Sequence, residues 1–325
     1  MEAAVDDRQL LAKLGAGRLS GDALAHELGV TRAAIWKRIQ GLRAAGVEVD
    51  GRAGEGYGLT RPLDLLDADA IRTRLPDAAQ ALVRDLQVAW TVDSTNAELL
   101  RCSAPEQGVR VLLTERQTGG RGRRGPTWAS PLTAHVYLSV LRLFSGGLVR
   151  LSGLSLVAGI AVAEALHDLG YVQARLKWPN DLMVDGRKLV GLLAEGGGEY
   201  AGPARAVIGI GINVHMPAAF ADQITQPWID LDTLAGAPVD RNAVVAAVLA
   251  RLLPALETFD AEGLAPFLPR YAELDLLRGQ TVRVEQGGQW REGTALGLAD
   301  DGALRVCIDG VEQHVHAGEV SVRAQ

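Results

Sequence analysis

The stretch TGGRGRRGPTWASPLTAHVYLSVL, residues 118–141, decides between two architectures. Gly120, Gly122 and Gly125 fit G-x-G-x-x-G, the dinucleotide fingerprint of a doubly wound sheet. That fingerprint opens a helix whose N-terminus holds a pyrophosphate. Here Pro126, Thr127 and Trp128 follow, and then the strand-like run HVYLSVL, so the chain continues as a turn and a strand. The positions between the glycines are Arg121, Arg123 and Arg124. A glycine-hinged loop that wraps an anion with its side chains fits this pattern; the plain alternative is a solvated basic loop.

Working outward, LQVAWTV (86–92), VRVLLTE (109–115), ARLKW (174–178), KLVGLLAE (188–195) and ARAVIGIGIN (204–213) read as strands. Residues 63–75, capped near Asp67, residues 148–170, and residues 240–263, capped by Asp240, read as helices. Strands and helices do not alternate regularly. The expectation is a mixed sheet with helices on one face, an α+β layer.

Residues 1–62 read as three short helices and a hairpin, a winged helix-turn-helix with its motif at about Gly21 to Gln40. Ser20 and Thr31 stand as N-caps. Ile35, Ile39 and Leu42 keep the spacing of a core-facing stripe. The third helix carries Arg32, Lys37, Arg38 and Arg43 and no acid, the footprint of phosphate binding. A winged helix used for protein contacts is the alternative. Residues 66–271 form the central domain. Residues 272–325, with Gly-Gly and Asp-Gly turns every few residues, read as a small β-barrel.

The chain has 325 residues, 48% hydrophobic and 22% charged, with a net charge of −6. That excludes a strongly basic coat, so nucleic-acid contact must be local. Cys102 and Cys307 match no C-x-x-C pattern, which argues against a disulfide framework or zinc and suits a reducing cytoplasm. The acidic N-terminus is no signal peptide, and LSGLSLVAGIAVA (151–163) is too short for a membrane span. His314 and His316 share a strand face without a third ligand, so no metal site is expected.

DSTN (93–96), TERQTGGRGRRGPTWASP (114–131), KWPNDL (177–182), GRKLVGLLAE (186–195) and GIGINV (209–214) together resemble bacterial biotin–protein ligases. The N-terminal helices resemble the bifunctional subgroup that also represses the biotin operon. The resemblance implies a class II synthetase-like central domain and an SH3-like C-terminal barrel. It implies that biotin and ATP, with Mg2+, give biotinyl-AMP. Biotin then passes to a lysine of the biotin carboxyl carrier protein of acetyl-CoA carboxylase. It also implies a homodimer on operator DNA when biotinyl-AMP is bound.

The residues suit that chemistry. A carboxylate is a poor acyl donor until it becomes a mixed anhydride with AMP. Bringing it up to a triphosphate requires cations, and guanidinium forks match both groups. By the resemblance, Arg121, Gly122, Arg123 and Lys188 meet the biotin carboxylate. Ser94, Thr95, Asn96 and Gln117 meet the ureido head, which offers two N–H donors and a carbonyl. Arg124, Trp128, Asn213 and Trp228 meet the adenylate. Asp181 takes or steers the acceptor lysine's proton, and Lys188 and Arg123 act in the adenylation itself. Arg32, Trp36, Lys37 and Arg38 contact DNA. Trp36 departs from the subgroup's best-known form, which has a polar amide there; an amide pairs with adenine and an indole does not. A ligand-sensing repressor without catalysis would need neither Lys188, Asp181 nor the C-terminal barrel. A lipoate-type acyl ligase would share the central fold.

Overall fold

A computed structural model describes residues 6–52, 54–123, 125, 127–198, 203–286, 289–317 and 321–324. The head holds α1 (Asp7–Ala16), α2 (Gly21–Leu28) and α3 (Arg32–Ala44). Each helix begins on a side-chain cap: Asp6 accepts from Arg8 N, Ser20 from Ala23 N and Thr31 from Ala34 N. These caps satisfy N–H groups that a helix start leaves unpaired. Ile35, Ile39 and Leu42 are buried against Leu10, Leu11, Leu14 and Leu24, as their spacing predicts. Strands β1 (Val49–Arg52) and β2 (Gly56–Leu59) form the wing. Gly56 has φ +85 and lies against the Leu19 carbonyl, so no side chain fits there.

The central region runs through α4 (Ala68–Thr73), α5 (Asp77–Leu82), β3 (Val83–Val92), α6 (Thr95–Arg101), β4 (Val109–Gln117) and β5 (Val136–Phe144). It continues with α7 (Gly147–Arg150), α8 (Leu154–Asp168), β6 (Arg175–Lys177), β7 (Asp181–Val184), β8 (Arg187–Gly198) and β9 (Ala204–Ile212). Helices α9 (Ala218–Ala221), α10 (Leu231–Ala235), α11 (Arg241–Glu262) and α12 (Leu268–Leu274) complete it. The sheet order is β3-β4-β5-β9-β8-β7-β6. Only β3 and β4 pair in parallel, so the sheet is mixed, as expected.

Two expectations need correction. Residues 148–170 are not one helix: Gly153, at φ +87, separates α7 from α8 and lets Leu264 pack close. Nor do the helices share one face. Val111, Leu113, Val140 and Ile208 join α8 and α11 in the main core. Leu112, Leu141 and Val207 point the other way and bury Leu99 of α6. The strand period of two supplies both faces. Helix α11 is long and apolar enough to cross a membrane, but Val245, Val248, Leu249, Leu252 and Leu256 are buried in this core.

The C-terminal segment is a five-stranded antiparallel sheet: β10 (Thr281–Gln286), β11 (Gln289–Leu298), β12 (Leu304–Ile308), β13 (Val311–Val315) and β14 (Ser321–Ala324), in the order β13-β12-β11-β10-β14. Asp309 and Gly310 both have positive φ between β12 and β13, the geometry Asp-Gly favours. β13 ends at Val315, so His316 lies beyond the strand that carries His314. Trp178 Nε1 donates to Gly302 O at 3.1 Å and fastens this sheet to the centre.

The head sits directly on the central region. Leu132 N donates to Ala45 O at 2.7 Å, just past α3, and Leu132 enters the head's core. His215 lies 3.4 Å from Glu48 of the head and 3.2 Å from Asp232.

Candidate active site

A cavity of about 690 Å³ opens beside the start of α6. Every predicted ligand residue among the described residues lines it. Ser94 caps α6, Thr95 and Asn96 open it, Gln117 comes from β4, and Arg121, Gly122, Arg123 and Trp128 from the glycine–arginine loop. Asp181, Lys188, Asn213 and Trp228 close the other side. Arg124 lies outside the described residues.

The floor is a hydrogen-bonded network. Ser94 caps α6, accepting from Ala97 N. Thr95 N donates to Gln117 Oε1 at 2.9 Å, which leaves the Gln117 NH2 as the group for a ligand. Asn96 Nδ2 donates to Glu195 Oε2 at 2.8 Å and to Leu193 O at 3.2 Å. A carboxylate only accepts, so this fixes the amide with Oδ1 toward Ser139 Oγ, 2.6 Å away. Ser139 Oγ is also 2.7 Å from Thr95 Oγ1. Both N–H groups of Asn96 are thus used within the protein. Gly209 has no side chain because Asn96 fills its place.

The loop returns on itself. Trp128 N donates to Gly120 O at 2.9 Å, and Arg121 pairs with Thr127 as an isolated bridge. The Trp128 ring lies over Gly191 of β8 and Gly211 of β9; a Cβ at either would stand 2.7 Å from it. These two glycines make a flat slot for an aromatic ring. Lys188 Nζ is 5.5 Å from that ring's centroid, within cation–π range.

Lys188 forms an ion pair with Asp181, Nζ to Oδ1 at 2.8 Å, with both side chains under one-fifth exposed. Its backbone anchors the other rim: Lys188 N donates to Pro227 O and Ile229 N to Lys188 O. Asn213 Nδ2 donates to Lys188 O and Ile229 O, both at 3.2 Å. Asn213 therefore ties the segment bearing Trp228 to β8, and its N–H groups are engaged within the fold.

Two residues of the network were not picked out from the sequence. Glu195 Oε1 accepts from Arg121 at 2.8 Å while its other oxygen takes Asn96, so one carboxylate joins floor and loop. It ends the motif GRKLVGLLAE. Ser139 is a fully buried hydroxyl inside the apolar strand β5. A buried polar group in such a run needs a partner, which was the available signal. On the head, Arg32, Trp36 and Lys37 are exposed on α3, whereas Arg38 lies 3.5 Å from Asp7 of α1.

Residues 87–213 match the Biotin/lipoate A/B protein ligase family, residues 7–58 an HTH domain, and residues 278–323 the biotin protein ligase C terminal domain. The chain is 41% identical to the bifunctional ligase/repressor BirA of Salmonella typhimurium, covering 94% of this chain and 93% of that one. It is 39% identical to the Escherichia coli bifunctional ligase/repressor BirA, covering 97% of each. The biotin protein ligase of Aquifex aeolicus, solved in complex with biotin and ATP, superposes with a TM-score of 0.63 at 28% identity, over 74% of this chain and 100% of that one. The chain therefore belongs to the biotin/lipoate A/B protein ligase family, within its biotin-specific bifunctional ligase/repressors.

Proposed function

We propose that the cavity activates biotin and that its occupancy governs the head. Biotin and ATP are the substrates. The ureido head meets the preformed end of the cavity, where the hydroxyls of Ser94 and Thr95 and the NH2 of Gln117 stand. Asn96 holds that end in shape. The carboxylate then lies toward Lys188, Arg121 and Arg123, where positive charge permits its approach to the α-phosphate. A carboxylate oxygen forms a bond to phosphorus and pyrophosphate leaves. Trp128 and Trp228 bracket the adenylate, with Arg124 at its phosphate and Asn213 holding the Trp228 segment.

In the second step a lysine amine of the biotin carboxyl carrier protein of acetyl-CoA carboxylase attacks the acyl carbon and AMP leaves. An amine of pKa near 10.4 is almost wholly protonated at pH 7, so a base must take its proton. Asp181 is assigned that role. Mg2+ would accompany ATP, held mainly by its phosphates, and would offset their charge. The Lys188–Asp181 pair at the charged end, facing a neutral polar end, carries the assignment.

The head, residues 1–62, binds operator DNA through Arg32, Trp36, Lys37 and Arg38 in this reading. Biotinyl-AMP orders the loops of residues 66–271, two copies pair, and the dimer represses; apo-carrier protein competes for the same face. The sheet of residues 272–325 is read as an SH3-like barrel, and free Cys102 and Cys307 suit a reducing cytoplasm. The test is incubation with ATP, biotin and apo-carrier domain, followed by intact mass. A carrier gaining one biotin, dependent on ATP, is expected; an unmodified carrier refutes the reading. Sedimentation with and without biotin and ATP tests the dimer, and an unchanged monomer at micromolar concentration refutes that part.

A further inference from the structure

Trp36 is 57% exposed in the middle of α3, among the most exposed large apolar side chains described. Its neighbours on the helix surface are the exposed Arg32 and the small Ala33 one turn before, and Gln40 one turn on; Lys37, also exposed, follows it in the chain. The buried side of the same helix is filled by Ile35, Ile39 and Leu42. Packing within the chain therefore gives no reason for the indole.

The surroundings say what covers it. Residues 32–44 carry Arg32, Lys37, Arg38 and Arg43 and no acid, on a chain of net charge −6. Arg38 lies 3.5 Å from Asp7 and Arg43 Nε donates to Val49 O, whereas Arg32, 3.6 Å from the equally exposed Asp22, and Lys37 reach the surface; exposed cations fit a polyanion, and in a helix-turn-helix this helix enters the major groove. An indole offers an apolar plate and one N–H donor, with no acceptor. Adenine asks for a donor and an acceptor together, and guanine for two donors. Cytosine presents a donor, which an indole cannot satisfy. Thymine alone sets an apolar methyl beside an acceptor, O4.

We propose that Trp36 is the specificity-determining residue of α3 and reads a thymine by its methyl group. The inference rests on the DNA-binding reading of the head, and the two can fail separately. The test is selection from a randomised duplex pool by the full chain with biotin and ATP. The recovered duplex is then rebuilt with deoxyuridine for each thymine in turn. Deoxyuridine keeps O4 and lacks only the methyl.

Wild type should lose about fourfold in affinity at one thymine per half-site, the effect of one unburied methyl. Trp36→Phe should keep that sensitivity, Trp36→Ala should lose it, and Trp36→Asn should select adenine at the position. The indole is exposed, so all variants should unfold at the wild-type temperature. Wild-type binding that is indifferent to every deoxyuridine overturns the proposal, as does Trp36→Ala selecting the wild-type sequence. A chain that retains no duplex overturns both the proposal and the DNA-binding reading. Variants that change the oligomeric state but not DNA selection assign Trp36 to a protein contact instead.

Discussion

The floor and the rim of the cavity are built on opposite principles. On the floor, Thr95, Asn96, Gln117, Ser139 and Glu195 are tied by short bonds and mostly buried. On the rim, Arg121 is half exposed on a glycine-hinged turn, and Trp228 hangs on a segment held mainly by backbone bonds to Lys188. A neutral head such as a cyclic urea is recognised only by groups already in place, because a buried polar group left unpaired costs about 1–3 kcal/mol. A charged tail brings its own attraction, so its partners can arrive late. Shape is read by the floor and charge by the rim.

Lys188 stands where the two meet, and its loss should have the largest effect. Lys188→Met should lower biotin-dependent pyrophosphate exchange by about 10²–10³, the scale for one preorganised charge. Biotin binding followed by calorimetry should change far less, since the floor is intact. Equal losses in both would erase the distinction between floor and rim. Arg123→Gly should act differently. With Lys188 and Arg121 still in place the adenylate should form, more slowly, and escape, so that lysines of an added bystander protein become biotinylated. Bystanders that stay unlabelled while carrier transfer persists would mean that the rim does not retain the intermediate.

Glu195 joins the two regions. Glu195→Gln breaks its ion pair with Arg121 but can still accept from Asn96. Arg121 is 51% exposed, so the pair is worth only about 1 kcal/mol after screening. The KM for biotin should rise about fivefold with kcat nearly unchanged. Glu195→Asp, one methylene short of reaching both partners, should not restore it. An unchanged KM in both variants would mean that floor and rim act independently.

Much of this was legible in the chain. The caps Ser20, Thr31, Asp67 and Asp240 and the stripe Ile35, Ile39, Leu42 follow from local rules, and the structure keeps them. The cavity residues were legible as motifs. What was hidden depends on partners distant in sequence. Asn96 looks like a free amide until Glu195 and Ser139 reach it from β8 and β5. Nor does the sequence show that Asn213, besides lining the cavity, donates to Lys188 O and Ile229 O. The placement of α6 on the opposite face depends on Leu112, Leu141 and Val207 being the outward set of their strands, which only the register decides. Gly153 lies in an apolar run that reads as continuous helix; that Leu264, far along the chain, packs where a side chain would stand is visible only in the fold.

The smallest effect concerns how the rim is rooted. His135 is fully buried, and its Nδ1 accepts from Val214 N at 3.1 Å, the residue before His215 and the start of the rim segment. The ring is therefore neutral, with its proton on Nε2. Burial, helped by His215 and Arg241 and opposed by a backbone hydrogen bond at Ala134 and by Asp232, pushes its pKa from 6.5 to about 3. Below about pH 6.5 the unfolded chain takes a proton that the folded one refuses, so stability is full above that pH and falls as the pH drops toward 3. The slope reaches at most about 1.4 kcal/mol per pH unit. His135→Asn keeps an acceptor for Val214 and cannot be protonated. Melting followed at about pH 7.5 and about pH 5.5 should show a smaller acid loss in the variant, by about 1 kcal/mol. Equal losses would mean that the folded ring takes the proton, so that Val214 loses its acceptor in acid and the rim is rooted by its other bonds, such as His215 N to Ala134 O and Met216 N to Asp230.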